Sequence, residues 1–188
     1  MYKILTVKDT VRIPPAKFDR ELDIAVKESL EEAMEGKLNP DIGVFLAITD
    51  VLEVGEGKII PDDGAIYYPA EFKVLTFIPE DNEVVLGEVV DITEFGAFTR
   101  IGPIDALVHV SQLMDDKVSY DQKNAKFTGK KTSYKLEEGD VVRARVVGVS
   151  LGENKTEVAL TTRQPTLGSL KWIKKEKKKK EKENKGEK

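Results

Sequence analysis

The sequence contains no cysteine and a single histidine, His109, and these two scarcities exclude many kinds of site. Without cysteine there is no disulfide framework and no thiolate metal site. With one histidine, most catalytic triads and all Cys/His metal sites are excluded as well. Acidic pairs such as Asp62 with Asp63, or Asp115 with Asp116, are far more often turn residues than magnesium ligands. We therefore expect no catalytic residue, no metal site and no cofactor in this chain.

Long apolar runs and phosphate-binding glycine motifs are also missing. The N-terminus, MYKILTVKDTVRIPP, has neither the basic start nor the apolar stretch of a signal peptide, and no later run approaches the length of a membrane span. Gly55 and Gly57 lack the third glycine of a dinucleotide-binding fingerprint, because position 60 is Ile60, and there is no P-loop. We expect a cytoplasmic protein without membrane contacts.

Positive charge is scarce in the first half of the chain and concentrated at its end. Residues 1–80 hold nine Lys/Arg against sixteen Asp/Glu, a net charge of −7, whereas the last eighteen residues hold ten lysines against four glutamates, a net charge of +6. An acidic first half is unsuited to neutralising phosphates, which supplies most of the affinity for nucleic acid. It fits better a surface that docks another protein.

Residues 1–79 show the pattern of a small α+β domain. YKILTVKDTVRI alternates like a strand and stops at two prolines, which cannot donate to a ladder. Apolar residues then recur at helical spacing, and Gly36 is positioned to cap the helix. Two further β-rich runs follow, each beginning or ending at a glycine-containing turn. The helical stripe consists of Phe18, Leu22, Val26, Leu30 and Met34; the turns contain Gly55 with Gly57, and Asp62, Asp63 and Gly64.

The pattern of residues 80–165 predicts strands and no helix. NEVVLGEVVDI, GAFTRIG, ALVHVS, DVVRARVVGVS and TEVALTTR are five short runs separated by turn signals, which is typical of a five-stranded OB-type Greek-key barrel. In VVRARVV, Arg143 and Arg145 share one face and the apolar residues take the other. The connection 114–140 is expected to be a surface loop.

Residues 166–188 read as a short apolar anchor and a lysine-rich tail. Lys171, Trp172 and Ile173 are expected to fix its root to the barrel. The tail itself allows two interpretations: a salt-dependent arm that attracts RNA, or a frayed helix with Glu176 near Lys180 and Glu181 near Lys185.

The most informative stretch is EFGAFTRIGPIDALVHVSQL, residues 94–113, which holds two phenylalanines and the only histidine. In a regular strand Phe95 and Phe98 would point to opposite faces, but a turn or bulge at Gly96 can bring both rings to one side. Exposed rings near basic side chains stack on the bases of single-stranded nucleic acid. The alternatives are that both rings belong to the core, or that they are buried against a partner in a purely structural barrel.

The longer string GEVVDITEFGAFTRIGPIDALVHVSQL resembles the S-one-type RNA-binding repeat, over roughly residues 84–163. This resemblance implies that Phe95, Phe98 and His109 line an RNA face. The family often has Asp and Arg where Ser150 and Glu157 stand here, so two of the usual RNA-facing groups are missing. Arg143 and Arg145 are expected to compensate in part, giving weak, sequence-tolerant RNA binding.

The whole chain, apart from the lysine tail, resembles the larger stalk subunits, E-prime, of archaeal DNA-directed RNA polymerase. The resemblance rests on the order of VRIPP, the amphipathic helix and VGEGKIIPDDGAIYYPAEFKVLTFIP, which runs directly into the barrel. It implies a non-catalytic subunit whose truncated ribonucleoprotein-like first domain docks on the polymerase core, with the small stalk partner (the F subunit) alongside and nascent RNA on the barrel. The docking residues would be Gly55, Gly57, Asp62, Asp63 and Gly64, with the glycines expected to allow turns of positive φ and a close approach of the backbone. Their spacing alone favours ordinary hairpin turns. The alternative is a translation or RNA-decay factor that binds single-stranded RNA through the same barrel.

Overall fold

The computed structural model describes residues 1–152 and 156–186, with residues 179–186 described by their backbone alone. The chain divides into two compact units, the first formed chiefly by Met1–Ile78 and the second beginning at Pro79. Within the described residues, no helix combines the length and the apolar character that a bilayer span requires.

The first unit is one helix packed on an antiparallel sheet. The sheet order is β1-β5-β3-β2, and the short β4 pairs with the free part of β5. Val26 and Leu30 of the helix pack with Val11, Phe72 and other apolar side chains of the sheet to form its core. The elements are β1 (Tyr2–Ile13), α1 (Leu22–Met34), β2 (Leu38–Asn39), β3 (Gly43–Val54), β4 (Lys58–Ile59) and β5 (Ile66–Phe77).

The helix begins at Leu22, one turn later than the apolar stripe from Phe18 predicts. Pro15 starts a short 3₁₀ turn, and Glu21 then has extended backbone with ψ of 140°, so the α-helix cannot form before it. Phe18 and Leu22 are consequently 48% and 41% exposed. The predicted glycine cap is confirmed, since Gly36 has φ of +76° just beyond the helix end.

The second unit is built on a closed barrel of five strands. The sheet order is β13-β8-β7-β6-β12-β14, and pairing between β13 and β12 closes the barrel, so the predicted OB-type fold is confirmed. Val142 and Ala144 are buried inside while Arg143 lies on the other face, as the alternation predicts. The elements are β6 (Val84–Thr93), β7 (Gly96–Ile101), β8 (Ile104–His109), β9 (Val118–Asp121), β10 (Lys126–Gly129), β11 (Lys135–Glu137), β12 (Val141–Leu151), β13 (Thr156–Thr161), β14 (Gly168–Ser169) and α2 (Leu170–Gly186).

The prediction that residues 114–140 form a surface loop is wrong. Within this connection, β9, β10 and β11 form a three-stranded antiparallel sheet in the order β11-β10-β9. Phe127 and Leu136 lie opposite each other in it and are almost fully buried, and the Tyr120 ring packs 5.4 Å from that of Phe127. Burial of these side chains explains why the connection is ordered into strands rather than left in solvent.

The residues of the predicted anchor before the lysine tail contact residues 134–140. The Trp172 ring stacks on Tyr134 at a centroid distance of 5.2 Å and donates from Nε1 to the Lys135 carbonyl at 2.9 Å. Ile173 is buried beside it, and Lys171 forms an ion pair with Asp140. The backbone continues as helix α2, whereas the expected pairs of Glu176 with Lys180 and of Glu181 with Lys185 lie outside the described side chains.

Candidate RNA-binding surface and docking tip

Phe95, Phe98 and His109 lie together on the outside of the barrel; we refer to these three residues as the aromatic surface. The rings of Phe95 and Phe98 meet edge to face, with centroids 5.9 Å apart and planes at 90°. His109 is opposite Gly96 in the pairing of β7 with β8, and Gly96 stands between the two phenylalanines in sequence. The sequence pattern therefore identified three side chains that the fold does bring together.

A tight turn at the start of β7 explains this arrangement. Phe95 belongs to the turn between β6 and β7, and the strand begins only at Gly96, so strand alternation does not extend to Phe95. A side chain at Gly96 would place its Cβ 2.4 Å from the Val108 carbonyl oxygen, so only glycine allows β7 and β8 to approach here. The Phe95 carbonyl accepts a hydrogen bond from the Val110 N–H at 2.8 Å.

The aromatic surface lies outside the core, with Phe95 and His109 exposed and Phe98 half-buried. Ala97 and Val108 point into the barrel and are essentially fully buried, so their neighbours Phe98 and His109 take the outer face. Phe95 is 47% exposed. A ring half open to solvent, set against a second ring at right angles, offers a flat face on which a base can stack.

The imidazole of His109 is oriented by the chain that follows it. Its Nδ1 accepts from the Ser111 backbone N–H at 3.3 Å and lies 2.8 Å from the Ser111 hydroxyl. A backbone N–H can only donate, so Nδ1 is the acceptor and the neutral ring carries its hydrogen on Nε2. The exposed Nε2–H is thus available as a donor to a phosphate or base.

Positive charge is nearly absent from this part of the barrel. Strands β7 and β8 contain one cationic side chain, Arg100, and Asp105 opposite it binds its guanidinium through two hydrogen bonds of 2.8 and 3.1 Å. The same contact raises the pKa of Arg100 above its ordinary value. Exposed Asp91 and Glu94 flank the aromatic surface. The surface can therefore stack bases but supplies little neutralisation of phosphates.

The two arginines predicted to assist lie farther along the barrel. Arg143 and Arg145 are paired with Leu86 and Val84 of β6, whereas Phe98 is paired with Asp91 of the same strand. The intervening positions correspond to roughly 17 and 24 Å along the strand, at about 3.4 Å per residue. The structure brings together Phe95, Phe98 and His109, and it does not bring Arg143 or Arg145 to them.

The residues predicted to dock the polymerase core lie in the segment 55–65, which joins β3 to β5 and contains β4; we call this segment the tip. The close backbone approach expected of the glycines is present: an added Cβ would be 2.8 Å from the Pro69 side chain at Gly55 and 2.6 Å from the Tyr68 ring at Gly57. The expectation of left-handed glycines is wrong, since none of Gly55, Gly57 and Gly64 has a positive φ. Asp62 has that conformation instead, with φ of +68°.

Asp63 is held by internal contacts of the first unit. Arg12 donates to its two carboxylate oxygens at 2.9 and 2.7 Å, and the Tyr67 hydroxyl and the Ala65 N–H donate at 2.6 and 3.1 Å. These donors, Arg12 first, hold the pKa of Asp63 well below its usual range, and the carboxylate in turn raises the pKa of Arg12 and of Tyr67.

The tip also exposes two apolar residues that sequence reasoning missed. Ile59 is 74% and Ile60 48% exposed. The sequence pattern places them at the end of a strand, where one of two neighbours is normally buried. Their position in the sequence could have indicated this exposure, because both isoleucines lie between two turns, in a segment too short to bury their side chains.

Comparison with known proteins covers both units. A family model described as "SHS2 domain found in N terminus of Rpb7p/Rpc25p/MJ0397" matches residues 8–64, and the model "S1 RNA binding domain" matches residues 78–161. The chain is 39% identical over 175 residues to DNA-directed RNA polymerase subunit Rpo7 of Saccharolobus shibatae, covering 92% of this chain and 97% of the relative.

Two further relatives extend the comparison. Rpo7 of Sulfolobus acidocaldarius is 37% identical over 94% of this chain and 97% of its own length. DNA-directed RNA polymerase III subunit RPC8 of Bos taurus is 23% identical over 92% of this chain and 98% of its own length. Among solved structures, the apo form of Mycoplasma genitalium RNase R matches with a TM-score of 0.38 and 22% identity, over 43% of this chain and 13% of that one.

Proposed function

The chain belongs to the Rpo7 family of non-catalytic stalk subunits of DNA-directed RNA polymerase, and we propose how it acts in the complex. Its first unit docks on the polymerase core through the tip, and it pairs with the small stalk partner, the F subunit. Its barrel binds single-stranded nascent RNA on the aromatic surface, supporting initiation and elongation in the cytoplasm.

The observation that carries the RNA-binding proposal is the geometry of the aromatic surface. Two phenylalanine rings in edge-to-face contact and an exposed imidazole, oriented through its Nδ1, lie on the outer face of the barrel. Stacking on such rings accepts any base, and each stacked base contributes about 1–3 kcal/mol. Because charge is scarce on this face, we expect weak and sequence-tolerant binding, as suits a transcript that must slide past.

The likeness of the whole chain favours the stalk over the alternative of a translation or RNA-decay factor. Such factors would be expected to match through the barrel alone, whereas Rpo7 relatives match over 92–94% of this chain, including the acidic first unit. The barrel by itself is shared with unrelated RNA-binding proteins and does not discriminate between the two.

For docking, we propose that the tip contacts the core through the groups that the fold leaves open. Gly55, Gly57 and Gly64 bring the backbone to the surface, and Asp62 is exposed. Exposed Ile59 and Ile60 add an apolar contact of the kind that anchors protein interfaces. Asp63 contributes by holding the shape of the tip through Arg12 and Tyr67.

Purification of the tagged chain from its native lysate tests the proposal, with bound proteins identified by mass spectrometry. Recovery of polymerase core subunits together with one small partner is the expected result. An Ile59→Ser/Ile60→Ser variant should recover the small partner but lose the core. Recovery of ribosomal or exosome proteins without polymerase would refute the stalk assignment.

A further inference from the structure

Three lysines meet at one turn of the second unit, where β9 begins and β10 ends. The Lys130 N–H donates to the Lys117 carbonyl at 2.9 Å, and Lys131 follows directly in the chain. We call Lys117, Lys130 and Lys131 the lysine turn. Lys130 and Lys131 are 13 and 14 residues from Lys117 in sequence, so no sequence pattern marks the three as a group.

The carboxylate of Asp116 organises this turn. Its Oδ2 accepts from the Lys131 N–H at 2.7 Å, the Thr132 N–H at 2.9 Å and the Thr132 hydroxyl at 3.0 Å, and its Oδ1 accepts from the Lys117 N–H at 2.6 Å. These donors, Thr132 first, lower the pKa of Asp116. At Gly129, an added Cβ would be 2.8 Å from this same Oδ2 oxygen, so the turn depends on glycine.

The three ammonium groups are available for a ligand. Lys117, Lys130 and Lys131 are all exposed. Among the side chains that the structure describes, none of them forms an ion pair. Both oxygens of Asp116 accept hydrogen bonds from the turn, namely from three backbone N–H groups and the Thr132 hydroxyl, so this carboxylate holds the backbone that carries the lysines.

A cleft connects the lysine turn to the neighbourhood of the aromatic surface. It has a volume of about 430 Å³, within the range of about 300–1,000 Å³ common for ligand sites. Its lining includes Ser111, the residue that orients His109, and Lys117 of the lysine turn, together with Asp115 and Asp116. Arg163 also borders it, held by Asp115 through bonds of 3.1 and 2.6 Å.

We propose that the lysine turn is a second part of the RNA site, where phosphates of the strand that leaves the aromatic surface are bound after crossing this cleft. The inference rests on the proposed RNA-binding function. The aromatic surface offers rings for stacking but no free positive charge, because Arg100, the one cation of β7 and β8, is paired with Asp105. The lysine turn offers three cations that form no ion pair among the described side chains. An acidic protein segment would also be attracted by the lysines, but it has no bases to stack on the rings of the aromatic surface.

The test measures binding of fluorescein-labelled oligouridylates of four and twelve nucleotides to the purified full chain across a salt series. The variant is Lys117→Gln/Lys130→Gln/Lys131→Gln. Its control, Lys37→Gln/Lys58→Gln/Lys123→Gln, removes three exposed lysines and the same net charge elsewhere. All six positions are on the surface, so both variants should keep the wild-type thermal unfolding curve.

With the twelve-nucleotide RNA, the variant should bind about tenfold or more weakly at low salt. Its plot of log affinity against log salt should be less steep by about 2, since each phosphate contact on a single strand contributes about 0.7. The four-nucleotide RNA should lose little, because it is held by stacking alone. The control should retain the wild-type slope.

Equal slopes and affinities for variant and control would overturn the proposal. So would a lysine variant that binds RNA normally but no longer captures a polymerase subunit, because the lysines would then form a protein contact. A Phe95→Ala/Phe98→Ala variant separates this failure from failure of the proposed function. Should that variant lose RNA while the lysine variant does not, the aromatic surface stands and the lysine turn is rejected. Should it bind RNA like the wild type, the aromatic surface itself is rejected.

Discussion

The aromatic surface and the tip each depend on a short glycine-containing turn, yet the fold uses their side chains in opposite ways. On the aromatic surface, Phe95 is half exposed and its ring meets that of Phe98 edge to face. At the tip, the carboxylate of Asp63 accepts hydrogen bonds from Arg12, Tyr67 and Ala65 and has little capacity left for a partner. A motif therefore locates a functional segment, but only the surrounding contacts show which of its groups are available.

The contrast also predicts different dependence on conditions. Stacking of bases on rings depends little on salt. The ion pair between Arg12 and Asp63 at the tip depends instead on pH. The following variants test the different roles of the aromatic surface and the tip.

The largest effect is expected from Phe95→Ala/Phe98→Ala. Loss of about 1–3 kcal/mol for each ring corresponds to a fall of roughly 5- to 150-fold in RNA affinity per ring. Fluorescence anisotropy with labelled single-stranded RNA measures it. Capture of the polymerase subunits should not change, because the rings belong to the second unit and the tip to the first. Lost capture with unchanged RNA affinity would mean that the rings are buried against a partner.

A smaller effect, on stability, is expected from Gly96→Ala compared with Gly64→Ala. The first places a Cβ 2.4 Å from a backbone oxygen that cannot move aside and should cost about 1–3 kcal/mol. The second meets nothing closer than the Pro15 Cγ at 3.6 Å, at a backbone without positive φ, and should stay within about 0.5 kcal/mol of the wild type.

Calorimetric unfolding measures both glycine variants, and the fluorescence of Trp172, the only tryptophan, follows the second unit alone. A Gly96→Ala barrel as stable as the wild type would show that β7 and β8 can separate without cost, contrary to the close approach described above.

The smallest effect is a change in the pH dependence of the first unit with Asp63→Asn. The pKa of Asp63 is lowered in the folded state, so its stabilisation is fully present above the unfolded value of about 3.9 and is lost as pH falls toward the folded value. The variant should have a lower Tm than the wild type by a constant amount above about pH 5, and this difference should narrow below about pH 4.

Asp62→Asn is the matched control, since it removes one negative charge at the neighbouring exposed position and asparagine tolerates the same positive φ. If Asp63→Asn and Asp62→Asn gave the same Tm at every pH, the bonds from Arg12 and Tyr67 would not stabilise the tip.

Most of the fold could be predicted because the elements are long and strongly patterned. The alternation of VVRARVV placed Arg143 outside and Val142 inside, and prolines marked the end of β1. The three strands in residues 114–140 escaped prediction because each has three or four residues and few buried side chains, chiefly Phe127 and Leu136. A strand that short shows no recognisable period.

The candidate site was predictable only in part, for a similar reason. Phe95, Phe98 and His109 are close in sequence and joined by hairpins, so local pattern placed them together. Arg143 could be assigned to a face but not to a height along the barrel, because the register of β12 on β6 is set by packing of the whole sheet. The lysine turn depends on strands that were not foreseen, so nothing in the sequence indicated it.

The most direct test of the account is photo-crosslinking from position 98 in a reconstituted, transcribing polymerase. A photoreactive phenylalanine analogue replaces Phe98 in one sample and Tyr2, an exposed aromatic residue of the first unit, in another, and the transcript is radiolabelled. The account predicts crosslinks to RNA from position 98 that appear once the transcript is long enough to leave the enzyme, and none from position 2. Crosslinks from position 98 to protein alone, at every transcript length, would contradict it.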